Sequence, residues 1–322
     1  MKSHSNKLVI SGLGASGSSA LCDLLKEIKW YYVMPIEFRL FTDPDGIISL
    51  ENSLVDNWTI FQSDLAIKRF HQLAIRLNRK FSSPYYGDSQ PKIIEDSIYQ
   101  PLNKYLNRLL DFRYKGMWVG IKSIHSILMI KLYKQLSLPR SMLKDIFVSK
   151  VMSREEFIEH TCEFVNGFIN LCLKKSNKRH FVFDEGYASM NPLKVLKYVP
   201  HGKMIIVIRD PRDVYCESRK WLFLPDSVED FIKFQKNLYK RLAAQTNNMN
   251  STRLLIIKFE DLVLKYNNTV RCIFKFLNIN PDDHYKKNCY FLPEESKKNV
   301  GLWKINPNYE DIKKIYIPYS PY

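Results

Sequence analysis

The sequence predicts an α/β fold in which helices cover both faces of a parallel sheet. Short apolar strands alternate with helices through the second half of the chain, and this order is typical of parallel sheets. One strand, residues 203–208, is apolar almost without interruption, as expected of a strand buried on both faces. The chain also opens with a strand, a glycine-rich loop and a helix. With 322 residues, we predict a single domain over residues 1–322.

The first elements follow from apolar spacing. Residues 7–11 form a short apolar strand, and 12–19 form the glycine-rich loop. Apolar residues at helical spacing predict a helix over 20–28. A second extended segment covers 30–41 and ends in the Asp-Pro-Asp-Gly turn at 43–46.

The middle of the chain, residues 53–150, is predicted to be a mostly helical insertion, with a possible short strand at 118–121. Regular alternation returns after it, and the insertion therefore belongs on the outside of one α/β core. The elements predicted for the second half are helices at 154–175, 192–198, 211–221 and 263–277, and strands at 180–183, 203–208 and 253–259.

The composition is basic, with 49 Lys and Arg against 33 Asp and Glu and a formal net charge of +16. Such a charge indicates an anionic partner, although a lysine-rich composition inherited from AT-rich coding would produce it equally. No RRM, KH, helix-turn-helix or zinc-finger pattern is present, so we predict no nucleic-acid partner. No stretch is apolar and long enough for a membrane helix, so we expect no stable membrane insertion.

The six cysteines include no CxxC pair and no Cys/His cluster with the spacing of zinc ligands. They are interpreted as reduced thiols of a cytoplasmic protein that needs no metal. The apolar run Leu8–Ile10 is too short for the core of a signal peptide, which agrees with that location. The sequence gives no prediction of oligomeric state.

The segment Gly12–Ser19 contains three glycines and three serines. Glycines permit tight turns and a close approach of the backbone to an anion, and the following helix supplies unpaired N–H groups. The spacing fits the P-loop pattern GxxxxGK[ST], except that Ser18 stands where the lysine is required. The segment therefore indicates a phosphate cradle, while the missing lysine argues against ATPases and kinases.

A buried strand ends in the sequence RDPRD, which begins at Arg209. A guanidinium group at the carboxyl end of a parallel strand can bind a phosphate through two N–H groups. Ser218 could add a hydroxyl to the same phosphate; alternatively, these residues form a salt-bridge network that fixes a loop. Near the end of the chain, the segment KKNVGLWK at 297–304 suits a loop that closes over a phosphate and stacks on a base, or simply a solvated lysine run.

In this order, these segments resemble the PAPS-dependent sulfotransferase family, whose donor is 3′-phosphoadenosine 5′-phosphosulfate (PAPS). Ala15–Ser19 is similar to its 5′-phosphosulfate loop [KR]SG[TS][TS], and RDPRDV at 209–214 to its 3′-phosphate segment. Residues 254–279 resemble its [RK][YF]EDL region with the following helix, and KKNVGLWK resembles its closing loop. The resemblance covers about the first 50 residues and the chain from about His180 onward.

The resemblance implies a P-loop three-layer fold with a central parallel sheet of about five strands. It also implies that PAPS is the cosubstrate. Sulfuryl transfer requires no metal in principle. The positions that would bind PAPS are Gly14, Ala15, Ser16, Gly17, Ser18, Ser19, Arg209, Ser218, Lys298 and Gly301.

Two positions depart from the family pattern. Ala15 stands where the family has Lys or Arg, a side chain that neutralises the leaving oxygen, and Lys122 is a candidate substitute. Glu217 stands where the family has its phosphate-binding serine. Because a carboxylate would repel the phosphate, we expect Glu217 to turn away and Ser218 to replace the serine.

Glu37 is the candidate catalytic base, because carbohydrate and tyrosyl-protein sulfotransferases carry a Glu base near this point of the chain. Arg39, two residues along the same extended segment, would share its face and orient it or bind an anionic acceptor. A surface Glu37–Arg39 pair is the alternative. Asp184, Glu185 and His125 are further candidates for contact with the acceptor or for the base.

These observations predict transfer of a sulfuryl group from PAPS to a hydroxyl or amine of an acceptor, most simply a carbohydrate. The insertion at 53–150 would shape the acceptor site. Two alternatives stay open: a catalytically inactive PAPS-, PAP- or glycan-binding protein, suggested by Ala15, and a P-loop kinase of a small metabolite, with Asp184 as its Mg²⁺ ligand.

Overall fold

A computed structural model describes residues 6–78, 92–118, 124–137, 139–218, 224–247, 249 and 252–315. Seven strands lie within these residues. They are β1 Lys7–Ser11, β2 Tyr31–Glu37, β3 Leu110–Gly116, β4 Lys144–Ser149, β5 His180–Asp184, β6 Lys203–Ile208 and β7 Leu254–Lys258.

The central sheet contains five parallel strands in the order β2-β5-β1-β6-β7. β1 therefore lies in the middle of the sheet, with β5 and β2 on one side of it and β6 and β7 on the other. The prediction of an α/β fold with a parallel sheet of about five strands is confirmed.

Alternation of side chains along β1 separates the two faces of the sheet. Leu8 and Ile10 pack into a cluster with the helix that follows the glycine-rich loop, whereas Val9 packs into the larger cluster on the other face. All three side chains are fully buried, as are the central residues of β6. Both faces are thus covered, and the sheet is the middle of three layers.

Helices cover both faces of this sheet and also build the insertion. They are α1 Ser18–Lys26, α2 Ile47–Glu51, α3 Ile60–Asn78, α4 Lys92–Leu109, α5 Ile124–Gln135, α6 Arg154–Ser176, α7 Pro192–Tyr198, α8 Pro211–Ser218, α9 Val228–Thr246, α10 Phe259–Leu264, α11 Tyr266–Leu277, α12 Pro293–Ser296 and α13 Tyr309–Ile312.

Local sequence explains where several helices begin and end. α6 begins after Ser153, whose hydroxyl accepts a hydrogen bond from the Glu156 N–H at 3.1 Å, and it ends at Asn177 in the left-handed conformation. The helix predicted over 263–277 is instead two helices, α10 and α11, which meet at Lys265. No described helix is long and apolar enough to cross a membrane.

The insertion is less helical than predicted. Besides α3, α4 and α5, it contains β3 and β4, which pair antiparallel as a separate two-stranded sheet. β3 is exposed along most of its length, so its sequence, LDFRYKG, shows no alternation of buried and exposed positions. Trp118 lies outside any strand, and the rest of the strand predicted at 118–121 lies outside the described residues.

One buried carboxylate joins the small sheet to α3. Asp64 accepts hydrogen bonds from Trp118 Nε1 at 2.8 Å and from the Phe147 N–H at 2.9 Å, and it pairs with Lys68 at 2.7 Å. Its side chain is almost fully buried. Since β4 contains Phe147, Asp64 helps to fix the small sheet, together with Ser63 of α3, whose hydroxyl accepts a hydrogen bond from the Ser149 N–H at 2.6 Å.

We expect Asp64→Ala to lower the free energy of unfolding by about 3 kcal/mol, because three donors lose their buried acceptor. Chemical denaturation measures the loss. Asp111→Ala, which changes an exposed aspartate on β3, is the control and should change the stability by less than about 0.5 kcal/mol. Equal stability of the two variants would contradict the role given to Asp64.

Candidate functional site

A cavity of about 1170 Å³ lies beyond the carboxyl ends of the parallel strands. This edge is where ligands bind in open α/β sheets. The cavity wall brings together the loop residues 14–19, Glu37, Arg39 and Arg209, which lie far apart in the sequence. Ser218, Lys298 and Gly301 are not part of this wall.

The loop between β1 and α1 is folded tightly by three residues in the left-handed conformation: Gly14 (φ 81°), Ala15 (φ 47°) and Gly17 (φ 85°). A Cβ at Gly17 would lie 2.3 Å from the ring of Phe259, so only glycine fits. The buried Ser16 hydroxyl accepts a hydrogen bond from the Leu13 N–H at 3.3 Å. The loop thus delivers the N-terminus of α1, with its unpaired N–H groups, to the cavity.

Arg209 follows β6, and its side chain is only 2% exposed. Its Nη1 donates to the Ala15 carbonyl at 3.1 Å and pairs with Glu217, while Nη2 donates to the Asn299 carbonyl at 2.6 Å. The guanidinium lies 5.0 Å from the ring centroid of Phe259. Its Nε is buried and has no hydrogen-bond partner among the described residues. This one side chain therefore joins the glycine-rich loop, the sheet and the end of the chain.

The structure reverses the arrangement expected on α8. Glu217 lies on the cavity wall and pairs with Arg209, whereas Ser218 is 3% exposed and donates its hydroxyl to the Tyr215 carbonyl at 2.8 Å. Consecutive helix residues are about 100° apart around the axis, so one faces the cavity when the other faces the core. Ser218 is therefore not placed to bind a ligand in this cavity.

The closing segment docks on the residues that follow Arg209. Asp213 is buried and accepts hydrogen bonds from the N–H groups of Gly301 at 2.8 Å and Trp303 at 3.2 Å. Burial raises the pKa of Asp213, and these hydrogen bonds oppose that rise. The Arg212 guanidinium lies 3.9 Å from the ring centroid of Trp303. Gly301 thus holds the segment in place, and Asn299 is the residue that reaches the cavity wall.

Three carboxyl groups gather at the ends of the two strands on the other side of the cavity. Glu37 ends β2, Asp184 ends β5 directly opposite it in the strand register, and Glu185 follows. Burial, reinforced by the Glu37 charge, raises the pKa of Asp184 to about 7. Burial raises the pKa of Glu185 to about 8, although its Oε1 accepts a hydrogen bond from the Thr42 hydroxyl at 2.7 Å.

Arg39 lies beyond the end of β2, so the strand periodicity does not place it beside Glu37. It pairs with Asp43, with Nη2 and Oδ2 2.9 Å apart, and both residues lie on the cavity wall. Lys122 lies outside the described residues, as does the side chain of His125. Within the described residues, no group of three His, Cys, Asp or Glu is arranged to hold a metal ion.

The sequence analysis missed the aromatic part of the wall, which includes Phe259, Tyr290 and Phe291. Phe259 lies in the region that resembles [RK][YF]EDL, and this resemblance could have predicted that it lies near the site. A residue far away in the sequence fixes Tyr290 and Phe291: the buried Glu27 carboxylate accepts hydrogen bonds from their N–H groups at 3.0 and 2.9 Å. No local pattern connects residue 27 with residues 290 and 291.

Comparison with known proteins gives one family model, described as "Sulfotransferase family", that matches residues 8–283. No curated protein sequence matches.

Solved structures similar to this chain share little sequence with it. The sulfotransferase domain from the Synechococcus PCC 7002 olefin synthase is 12% identical, with a TM-score of 0.47 over 97% of this chain and 94% of that chain. The sulfotransferase domain from the curacin biosynthetic pathway is 14% identical, with a TM-score of 0.44 over 98% and 97%. Sulfotransferase STF1 from Mycobacterium tuberculosis H37Rv is 10% identical, with a TM-score of 0.41 over 93% and 77%.

The raised pKa values predict a pH dependence of stability. Glu185 is protonated in the folded protein up to a pKa of about 8, whereas in the unfolded chain it loses its proton near its ordinary value of 4.5. Its contribution to stability is therefore lost as the pH rises through this window.

We expect the melting temperature of the wild type, relative to Glu185→Gln, to fall steadily between pH 5 and pH 8, because the glutamine has no proton to lose. Thermal unfolding at a series of pH values measures this difference. Glu159→Gln, which changes an exposed side chain on α6, should give a difference that does not vary with pH. A difference that is flat for Glu185→Gln as well would contradict the buried, protonated state.

Proposed function

The chain belongs to the sulfotransferase family, and we propose that it transfers a sulfuryl group from PAPS to a hydroxyl group of a carbohydrate acceptor. One observation supports this most directly: a single cavity joins a glycine/serine loop, a buried arginine at a strand end, and a carboxylate. Sulfuryl transfer needs these three elements, which bind the donor at two points and accept the proton of the acceptor.

The loop side of the cavity suits the anionic donor. The N–H groups at the start of α1 and the hydroxyls of Ser18 and Ser19 would hold the 5′-phosphosulfate. Arg209 would hold the 3′-phosphate, and its buried, unpartnered Nε is a donor available for that purpose. Glu217 pairs with the same guanidinium, so the phosphate must displace it.

Ala15 supplies no cation for the oxygen that departs with the phosphate. Its backbone is left-handed, and its carbonyl accepts from Arg209, so the residue contributes to the shape of the loop. Stabilisation of the developing charge then rests on N–H donors of the loop, with Lys122 still a prediction.

Glu37 is the proposed base. Its Oε1 lies 3.2 Å from the point where a Cβ at Gly186 would be, so the carboxylate fits closely against a residue without a side chain. In the reaction, the acceptor oxygen forms a bond to sulfur while the bond between sulfur and the phosphate oxygen breaks. The hydroxyl proton moves to Glu37. Arg39, on the same wall, would contact the acceptor or orient Glu37.

The inactive nucleotide-binding protein is the second candidate, because Ala15 and Glu217 both remove features of the donor site that the family normally has. Titration with PAP separates the alternatives. Binding without Mg²⁺ supports the sulfotransferase and the binding protein and excludes the kinase, whereas transfer of sulfate separates the first two.

We expect Glu37→Gln to lower kcat by about 100-fold or more, because the acceptor proton loses its base. Transfer of radiolabelled sulfate from PAPS to a panel of glycans measures turnover, and calorimetry with PAP should show unchanged donor binding. Glu159→Gln is the control with wild-type turnover. Full turnover in Glu37→Gln would remove the base assignment.

We expect Glu217→Ser to bind PAP about tenfold more tightly, because the change removes a negative charge that competes with the phosphate for Arg209. Arg209→Ala should bind PAP about 100-fold more weakly. Calorimetric titration measures both. Glu229→Ser, which changes an exposed residue of α9, serves as the control. Weaker binding in Glu217→Ser would show that Glu217 supports the donor site.

A further inference from the structure

Three carboxyl groups gather on the side of the cavity at the ends of β2 and β5, and burial raises the pKa of two of them, Asp184 and Glu185. Both arginines of the wall already pair with carboxylates, Arg39 with Asp43 and Arg209 with Glu217. Glu37, Asp184 and Glu185 have no ion-pair partner among the described residues. This concentration of carboxyl groups contrasts with the net charge of +16 of the whole protein.

The neighbouring elements supply one cation, and it is already paired. On α1, Lys26 pairs with Asp23 at 2.7 Å; the Lys26 charge lowers the pKa of Asp184, and the Asp23 charge raises it. The segment after β2 contributes the Thr42 hydroxyl, which donates to Glu185. Tyr187, which follows Glu185, adds a half-buried aromatic ring to the same wall.

Two buried oxygens in this group have no hydrogen-bond partner among the described residues. Glu185 is 0% exposed and lies on the cavity wall, and its Oε2 is one of them. The other is Oδ1 of Asp184, a half-buried residue on the same wall. A buried acceptor without a donor costs free energy, so a ligand that supplies donors at this point gains that free energy on binding. The two oxygens therefore mark a place for a ligand group that donates hydrogen bonds.

The chemistry of the group favours a cation over a neutral donor. An ammonium carries three donors and no acceptor, and its charge favours the ionised form of neighbouring carboxyl groups, which then accept those donors. A hydroxyl supplies one donor and leaves the charge unchanged. The raised pKa values of Asp184 and Glu185 agree with a site in which negative charge is costly until a cation binds.

We infer that the acceptor carries an ammonium group, as in an amino sugar with a free amine, which Asp184 and Glu185 bind while a neighbouring hydroxyl reaches Glu37. This inference rests on the proposed function. The ammonium is not consumed: sulfur is transferred to the hydroxyl oxygen, and the hydroxyl proton moves to Glu37 as before.

Two probes that differ mainly in this charge test the inference. Calorimetry compares binding of the disaccharide of glucosamine with that of N-acetylglucosamine to the full chain saturated with PAP. We expect the free amine to bind at least about tenfold more tightly, with a preference that weakens as salt is added.

In Glu185→Gln and in Asp184→Asn the preference should fall to about threefold or less, while PAP binding shows that each variant is folded. Glu159→Gln should keep the full preference. Equal affinities for the two disaccharides, tighter binding of the N-acetylated one, or no binding of either would overturn the inference.

The assay of sulfate transfer tests the proposed function independently of the binding measurements. Transfer to neutral glycans without a preference for amines would leave the proposed function standing and remove the ammonium site. A preference for the free amine in binding, with no transfer to any acceptor, would leave the ammonium site standing and contradict the proposed sulfuryl transfer.

Discussion

The site depends on one buried guanidinium. Arg209 leaves the end of β6 and contacts the backbone carbonyls of Ala15, in the glycine-rich loop, and Asn299, near the end of the chain. A carbonyl oxygen and a planar guanidinium form directed hydrogen bonds, so these contacts fix distance and orientation. Asp213, one turn further along, repeats the arrangement by accepting N–H groups from the closing segment. Two side chains of one short sequence thus assemble segments nearly 300 residues apart.

The same cavity has two electrostatic halves. On the loop side, N–H groups and Arg209 suit an anion, and the backbone supplies much of the positive potential because Ala15 provides no side-chain charge. On the side of β2 and β5, carboxyl groups accept protons or cations. Parallel strands place all their carboxyl ends at one edge, so chemically opposite groups become neighbours there. The proposed sulfuryl transfer would use this polarity, because its donor brings negative charge and its acceptor loses a proton.

The positions of Glu217 and Ser218 on α8 are opposite to those that the local sequence predicts. The sequence analysis assumed that repulsion would turn this carboxylate away from the phosphate site and let Ser218 replace it. In the structure, Arg209 attracts the carboxylate, and helix geometry then directs Ser218 into the core. The neighbouring guanidinium, rather than repulsion by a phosphate, thus sets the position of the carboxylate. The antiparallel pair β3–β4 escaped prediction for a different reason, since an exposed strand needs no apolar alternation.

The amino-acid sequence by itself determined the α/β core, because continuous apolar strands and a glycine-rich loop leave few other ways to bury the apolar residues. It also predicted that the loop residues and Arg209 lie together, since each follows a strand and strand ends converge, while Glu37 was predicted from the family resemblance. Only the tertiary structure decided which residues actually share the cavity. Contacts between distant segments place the ring of Phe259 next to Gly17 and the Glu27 carboxylate next to the Phe291 N–H. They also bury the oxygens of Asp184 and Glu185 that have no partner among the described residues. Which side chains are buried and which polar atoms find partners depends on the packing of the whole chain, so a local sequence pattern does not predict it.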